Sequence, residues 1–155
     1  MTRVLCEYRE RSFLVEFRLV HPHMHNVHTN WLLAVVDTGA TRSHVENSVI
    51  PSTFPDDGKK ALSTTGVGSV VSFGGNKDNP ARQVISKVYR ATIEFKTTDG
   101  QIFSLQAGDN ANQPGYSGVI STEFSPNLIG FDIISSFSAF IVNNDSKSAH
   151  FELDA

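Results

Sequence analysis

One acidic residue of this chain stands where its surroundings favour chemistry. Asp37 closes the apolar run Trp31–Val36 and is followed by Thr38, Gly39 and Ala40. A short, continuous apolar run rich in branched residues is expected to be a core strand. Its end delivers the Asp37 carboxylate to partial burial, with water near. Gly39 permits a tight turn and lets its amide approach the carboxylate without a side chain in the way. Thr38 offers a hydroxyl that can bond a neighbouring backbone group and stiffen the loop.

A lone ionised carboxylate is a poor hydrolytic catalyst at neutral pH. Two carboxylates within hydrogen-bond distance cannot both ionise, so they share one proton. The ionised member can then take a proton from water while the other donates one to a substrate carbonyl. The apparent constants belong to the pair. Asp-Thr-Gly occurs once here, so this chemistry requires a second chain, with Asp37 meeting its own copy across a two-fold axis. Three residues alone are a weak signal, and a strand-to-turn connection capped by Asp is the plain alternative. Context favours the chemical reading. Ala40–Val45 reads as an emerging strand, Leu62–Gly75 as a glycine-rich mobile hairpin, and Asn127–Phe137 contains the apolar pair Leu128-Ile129 before Gly130.

The elements that must position these residues are mostly strands. Phe13–Val20 alternates as a half-buried strand, and His21–Asn30 is a polar loop. Pro51–Gly58 reads as a loop, Gln83–Phe95 as one long strand, Thr98–Gln101 as a hairpin turn and Ile102–Leu105 as its returning strand. Gly108–Gly118 is loop, Phe131–Phe137 a helix of a turn or two, and Ala139–Val142 and His150–Leu153 are strands around the turn Asn143–Ser146. These features predict a single all-β domain over residues 1–155, a small closed or folded-over barrel.

The segments Val35–Thr41 and Asn127–Phe137 resemble the two hallmark segments of retropepsin-like aspartic proteases. The resemblance spans Phe13 to Leu153 and is closer to the cellular and bacterial type than to the minimal viral one. It implies a closed acid-protease barrel with a flap hairpin and one short C-terminal helix. It implies Asp37 as the catalytic aspartate, supported by Thr38, which would bond across the dimer, by Gly39, whose carbonyl would receive substrate hydrogen bonds, and by Ala40. It also implies a flap around Thr65, Gly66, Val67 and Gly68, and Leu128, Ile129, Gly130 and Asp132 packed beneath the active site. Viral members often carry Arg after the closing glycine, paired with an acid beyond the catalytic loop. Here Phe131 takes that position and Thr41-Arg42 follow Ala40, so that ion pair cannot form as such.

Other residues invite chemistry less strongly. His21, His23, His25 and His28 suggest a metal, with the first three on one side of an extended segment. No carboxylate or cysteine nearby completes a set, so no metal is expected. His44 reads as a strand residue, since no nucleophile elbow accompanies it. Asp132, at a helix start, is expected to cap amides or meet the dipole rather than act as a second catalytic acid. Trp31, Phe95, Phe103, Phe137 and Phe140 read as core.

Composition narrows the function classes. A length of 155 residues fits one domain, and 39% hydrophobic with 19% charged residues is globular. A net charge of −3 leaves no basic footprint for nucleic acid or a membrane surface. The single cysteine, Cys6, excludes an internal disulfide and reads as a small apolar residue of a first strand. No signal-peptide core or membrane span is evident, which makes a cytoplasmic location the expectation. The expected function is a homodimeric aspartic endopeptidase that binds extended polypeptide and needs no cofactor. The alternatives are an inactive protease-like fold used for peptide binding or dimerisation, and a self-processing domain of a larger protein.

Overall fold

The computed structural model describes residues 2–40, 43–51, 54, 56–61, 71–72, 83–84, 86–107, 119–122 and 127–153. Its strands are β1 (Arg3–Arg9), β2 (Ser12–Val20), β3 (Leu32–Val36), β4 (His44–Glu46), β5 (Asp56–Ala61), β6 (Val71–Ser72) and β7 (Gln83–Val84). They continue with β8 (Ser86–Tyr89), β9 (Ala91–Lys96), β10 (Ile102–Ala107), β11 (Val119–Thr122), β12 (Leu128–Ile129), β13 (Ala139–Asn143) and β14 (Ser148–Glu152). A 3-10 turn at Asn47–Val49 and α1 (Phe131–Ile134) are the helical segments among the described residues. The protein is all-β with one small helix. Among the described residues, no helix is long and apolar enough to cross a membrane.

The main sheet runs β13-β14-β1-β2-β3-β12-β4-β11-β8-β5. Its end strands do not pair with each other, so among the described residues the expected closed barrel is an open sheet. The folding-over comes from β2. Its first half pairs with β1 (Cys6 opposite Val15), its middle with β3 (Val15 opposite Ala34), and its last residues with β9 (Leu19 opposite Ile93). That exchange of partners carries β9 and β10 across the core. Alternation along β2 then buries Val15, Phe17 and Leu19 on one face. Phe137, just past α1, gathers the aromatic core: it stacks on Phe151 at 4.5 Å and meets the edges of Phe95 at 5.4 Å.

Several expectations are revised. The long strand Gln83–Phe95 breaks at Arg90, where the chain leaves the β5–β8–β11 group for β9 and β10. The Pro51–Gly58 loop is cut short, because β5 starts at Asp56; it pairs with β8 through a register shift between Asp56 and Lys60. The run before Asp37 is less buried than its composition suggests. Only Ala34 is fully buried in β3, and Leu33 is exposed. Trp31 is not core: it lies half-buried under two cations, with the Arg18 guanidinium at 4.8 Å and the Lys96 ammonium at 4.5 Å from its ring. Phe95 and Phe137 are core, with Phe103 and Phe140 packed against it. The β1–β2 hairpin turns through Glu10 and Arg11, both left-handed (φ 53 and 66), without a glycine or asparagine to announce it.

Candidate active site

Asp37 lies at the end of β3, half-buried. Parallel pairing sets Leu128 beside Val35 and Ile129 beside Val36, and the Asp37 N–H continues that ladder to the Ile129 carbonyl at 2.9 Å. On its other side Leu128 opposes His44 of β4 in antiparallel register. The two-residue strand β12 therefore fills the space between the strands on either side of the Asp37 turn. Asn127 pins this insertion. Its carbonyl accepts from Val35 N–H at 2.9 Å, its Oδ1 accepts from Glu46 N–H at 3.0 Å, and its Nδ2 donates to the Leu33 carbonyl at 3.3 Å.

The turn is closed by its own backbone. Gly39 N–H donates to Asp37 Oδ1 at 2.9 Å, and Ala40 N–H to the Asp37 carbonyl at 3.2 Å. A Cβ on residue 39 would sit 3.3 Å from that carboxylate oxygen. The expected close approach of the Gly39 amide is thus present. Thr38 is exposed, and among the described residues its hydroxyl makes no hydrogen bond, so the stiffening expected of it comes from these backbone bonds. The Ala40 carbonyl accepts from Phe131 N–H at 2.8 Å, which joins the turn to the first residue of α1.

Asp132 behaves differently from a simple helix cap. Gly130 holds the N-cap position without a side-chain bond. Asp132 takes one first-turn amide, Ile133 N–H at 2.9 Å, but also grips Ser43 twice: the Ser43 hydroxyl donates to Oδ1 at 2.6 Å and the Ser43 N–H to Oδ2 at 3.1 Å. The Ser43 Oγ in turn accepts from Gly130 N–H at 2.8 Å. Ser43 is buried, one of few buried polar residues among those described. Sequence reasoning missed both Ser43 and Asn127. Their one signal was position: Asn127 opens the second hallmark segment, and Ser43 lies two residues past Thr41, the end of the first.

No family model matches this chain, and no curated protein matches it. The chemistry open to the site follows from its geometry: a half-buried carboxylate on a hydrogen-bonded turn, anchored at both ends to a second segment. Cross-strand neighbours share a face, so Leu14, Val35, Leu128 and His44 form a row across β2, β3, β12 and β4. Strand alternation carries Asp37, two residues beyond Val35, onto that face.

The remaining candidates fall elsewhere. Thr65, Gly66, Val67 and Gly68 lie outside the described residues, as do Thr41 and Arg42. The histidine segment is a turn rather than an extended strand, so alternate spacing does not align its imidazoles. His21 Nδ1 accepts from His23 N–H at 3.0 Å and Met24 N–H at 3.1 Å, while its ring meets Phe54 edge-on. Cys6 sits on β1, and burial pushes its thiol up to about 12.

Proposed function

We propose that the protein is a homodimeric aspartic endopeptidase of the retropepsin-like type. The observation that supports it is the register of Leu128-Ile129 beside Val35-Val36, with the half-buried Asp37 carboxylate held by Gly39 N–H at the end of that pair. In the dimer, the two Asp37 carboxylates share a proton. The ionised one takes a proton from water as the water oxygen attacks the substrate carbonyl carbon, and the protonated one donates to the carbonyl oxygen. Collapse of the tetrahedral adduct breaks the C–N bond: the carboxyl holding water's proton passes it to the leaving nitrogen, and the other carboxylate takes a hydroxyl proton from the adduct as the carbonyl re-forms, which restores the shared proton. The substrate lies extended, bonded strand-like through its main chain. Apolar residues beside the scissile bond suit the Val35 and Leu128 face. Thr38, exposed at the turn, bonds across the dimer, and residues 65–68 act as the flap that excludes water.

The test is cleavage of an unstructured protein between about pH 4 and pH 7 by the wild-type chain and by Asp37→Asn. Wild-type cleavage is expected, with the variant at background. Cleavage that survives Asp37→Asn overturns the mechanism. Sedimentation gives a second check: a fully active monomer overturns the shared-carboxylate pair. A proven dimer that cleaves nothing points instead to a binding module.

A further inference from the structure

We propose that Ser43 and Asp132 are positioning residues for Asp37, acting through one peptide group. The proposal rests on the reading of Asp37 as the catalytic acid. The Ile129–Gly130 peptide uses both of its polar groups at the site. Its carbonyl, on Ile129, accepts the Asp37 N–H at 2.9 Å, and its N–H, on Gly130, donates to Ser43 Oγ at 2.8 Å. The peptide is trans, so the two groups point in opposite directions from one rigid plane. Any rotation of that plane moves the acceptor of Asp37.

Ser43 Oγ is the atom that sets this rotation, and Asp132 sets Ser43. Asp132 Oδ1 accepts the hydrogen bond of the Ser43 hydroxyl at 2.6 Å, which leaves a lone pair of Oγ facing Gly130 N–H, and Oδ2 accepts from the Ser43 N–H at 3.1 Å. A charge-assisted bond of this kind is shorter and stronger than one between neutral groups. Gly130 is buried, so its N–H has no ready substitute in water. The path runs from Asp132 through Ser43 to Gly130 and Ile129, and ends at Asp37. A separate bond, Phe131 N–H to the Ala40 carbonyl at 2.8 Å, holds the far side of the turn. With Ser43 lost, the turn keeps that bond and the Gly39 bond but not the orientation of its starting residue. A carboxylate displaced by a fraction of an ångström still binds substrate and reacts more slowly.

The experiment compares wild type, Ser43→Ala, Ser43→Thr and Asp132→Asn, with two readouts: steady-state kinetics on a peptide substrate, and amide exchange at Asp37 and Gly130 relative to Val15. Ser43→Ala is expected to lower kcat roughly 10- to 100-fold with KM within about two-fold. It should also speed exchange at Asp37 and Gly130 without affecting Val15. Ser43→Thr, which keeps the hydroxyl, should restore kcat to within about three-fold. Asp132→Asn retains one acceptor oxygen and should fall between. If Ser43→Ala does not fold, Asp132→Asn carries the same comparison. Unchanged exchange and unchanged kcat in the folded variants overturn the positioning role. Exchange that rises at Asp37 and Gly130 in a chain whose wild type cleaves nothing upholds the positioning and rejects the peptidase reading instead.

Discussion

The amide of Gly39 donates to the carboxylate of Asp37 at 2.9 Å, two residues back along the same turn. This short loop fixes one carboxylate oxygen of a half-buried side chain. It also makes residue 39 sterically exacting, because an added Cβ would lie 3.3 Å from the bonded oxygen.

Gly39→Ala should therefore push the carboxylate a few tenths of an ångström from its position. The expected result is a fall in kcat of about ten-fold or more, with an unfolding free energy within about 1 kcal/mol of wild type. Parallel kinetics and urea titration check it. An alanine variant with wild-type kcat would show that the Gly39 contact is dispensable.

Removal of the Asp132 carboxylate leaves Ser43 N–H and the Ser43 hydroxyl without their acceptor, while Ile133 N–H keeps the Gly130 carbonyl at 3.1 Å. Asp132→Ala should cost about 1–3 kcal/mol in chemical denaturation, the usual result of stranding part-buried donors. The exposed Lys96–Glu16 pair at 2.9 Å offers the contrast, since breaking it by Glu16→Gln should cost no more than about 0.5 kcal/mol.

Phe151 has no exposed surface and lies 4.5 Å from Phe137 and 4.7 Å from Phe140, ring to ring. Phe151→Ala should destabilise by about 3–5 kcal/mol. Leu5, 62% exposed on the neighbouring strand β1, should tolerate alanine within about 0.5 kcal/mol. Equal losses at the two positions would contradict the assignment of core and surface faces.

Glu10 and Arg11 form the β1–β2 turn with left-handed backbones that side chains disfavour. Replacing both by Asn-Gly should raise stability by about 0.5–1 kcal/mol, read as a higher urea midpoint at constant m-value.

The Cys6 thiol, raised by burial from 9.0 to about 12, should resist alkylation at mildly alkaline pH in the folded protein and react readily once unfolded. The folded chain holds this proton more tightly than the unfolded one. Its contribution to stability is therefore complete below 9.0 and is lost as pH rises toward 12. Native alkylation as fast as that of a free thiol would place Cys6 at the surface.

Much of this protein was legible in its residues. The alternation of Phe13–Val20, the hairpin turn at Thr98–Gln101 and the closing strands around Asn143–Ser146 appear as strands and turns, because strand period and turn chemistry act over a few residues. The short helix after Gly130 and the close approach of Gly39 to Asp37 were legible for the same reason.

Tertiary structure decided which partner each strand takes. Nothing local in Ser12–Val20 states that it serves β1, β3 and β9 in turn, and nothing in Gln83–Phe95 states that the chain changes group at Arg90. The insertion of Leu128-Ile129 between β3 and β4, and the Ser43–Asp132 bond between residues 89 positions apart, are likewise choices among partners distant in the chain. Sequence by itself determined a carboxylate at a strand end beside a glycine. Only the folded chain set the Ile129–Gly130 peptide and Ser43 around it, because hydrogen-bond geometry between remote segments is fixed by packing rather than by local pattern.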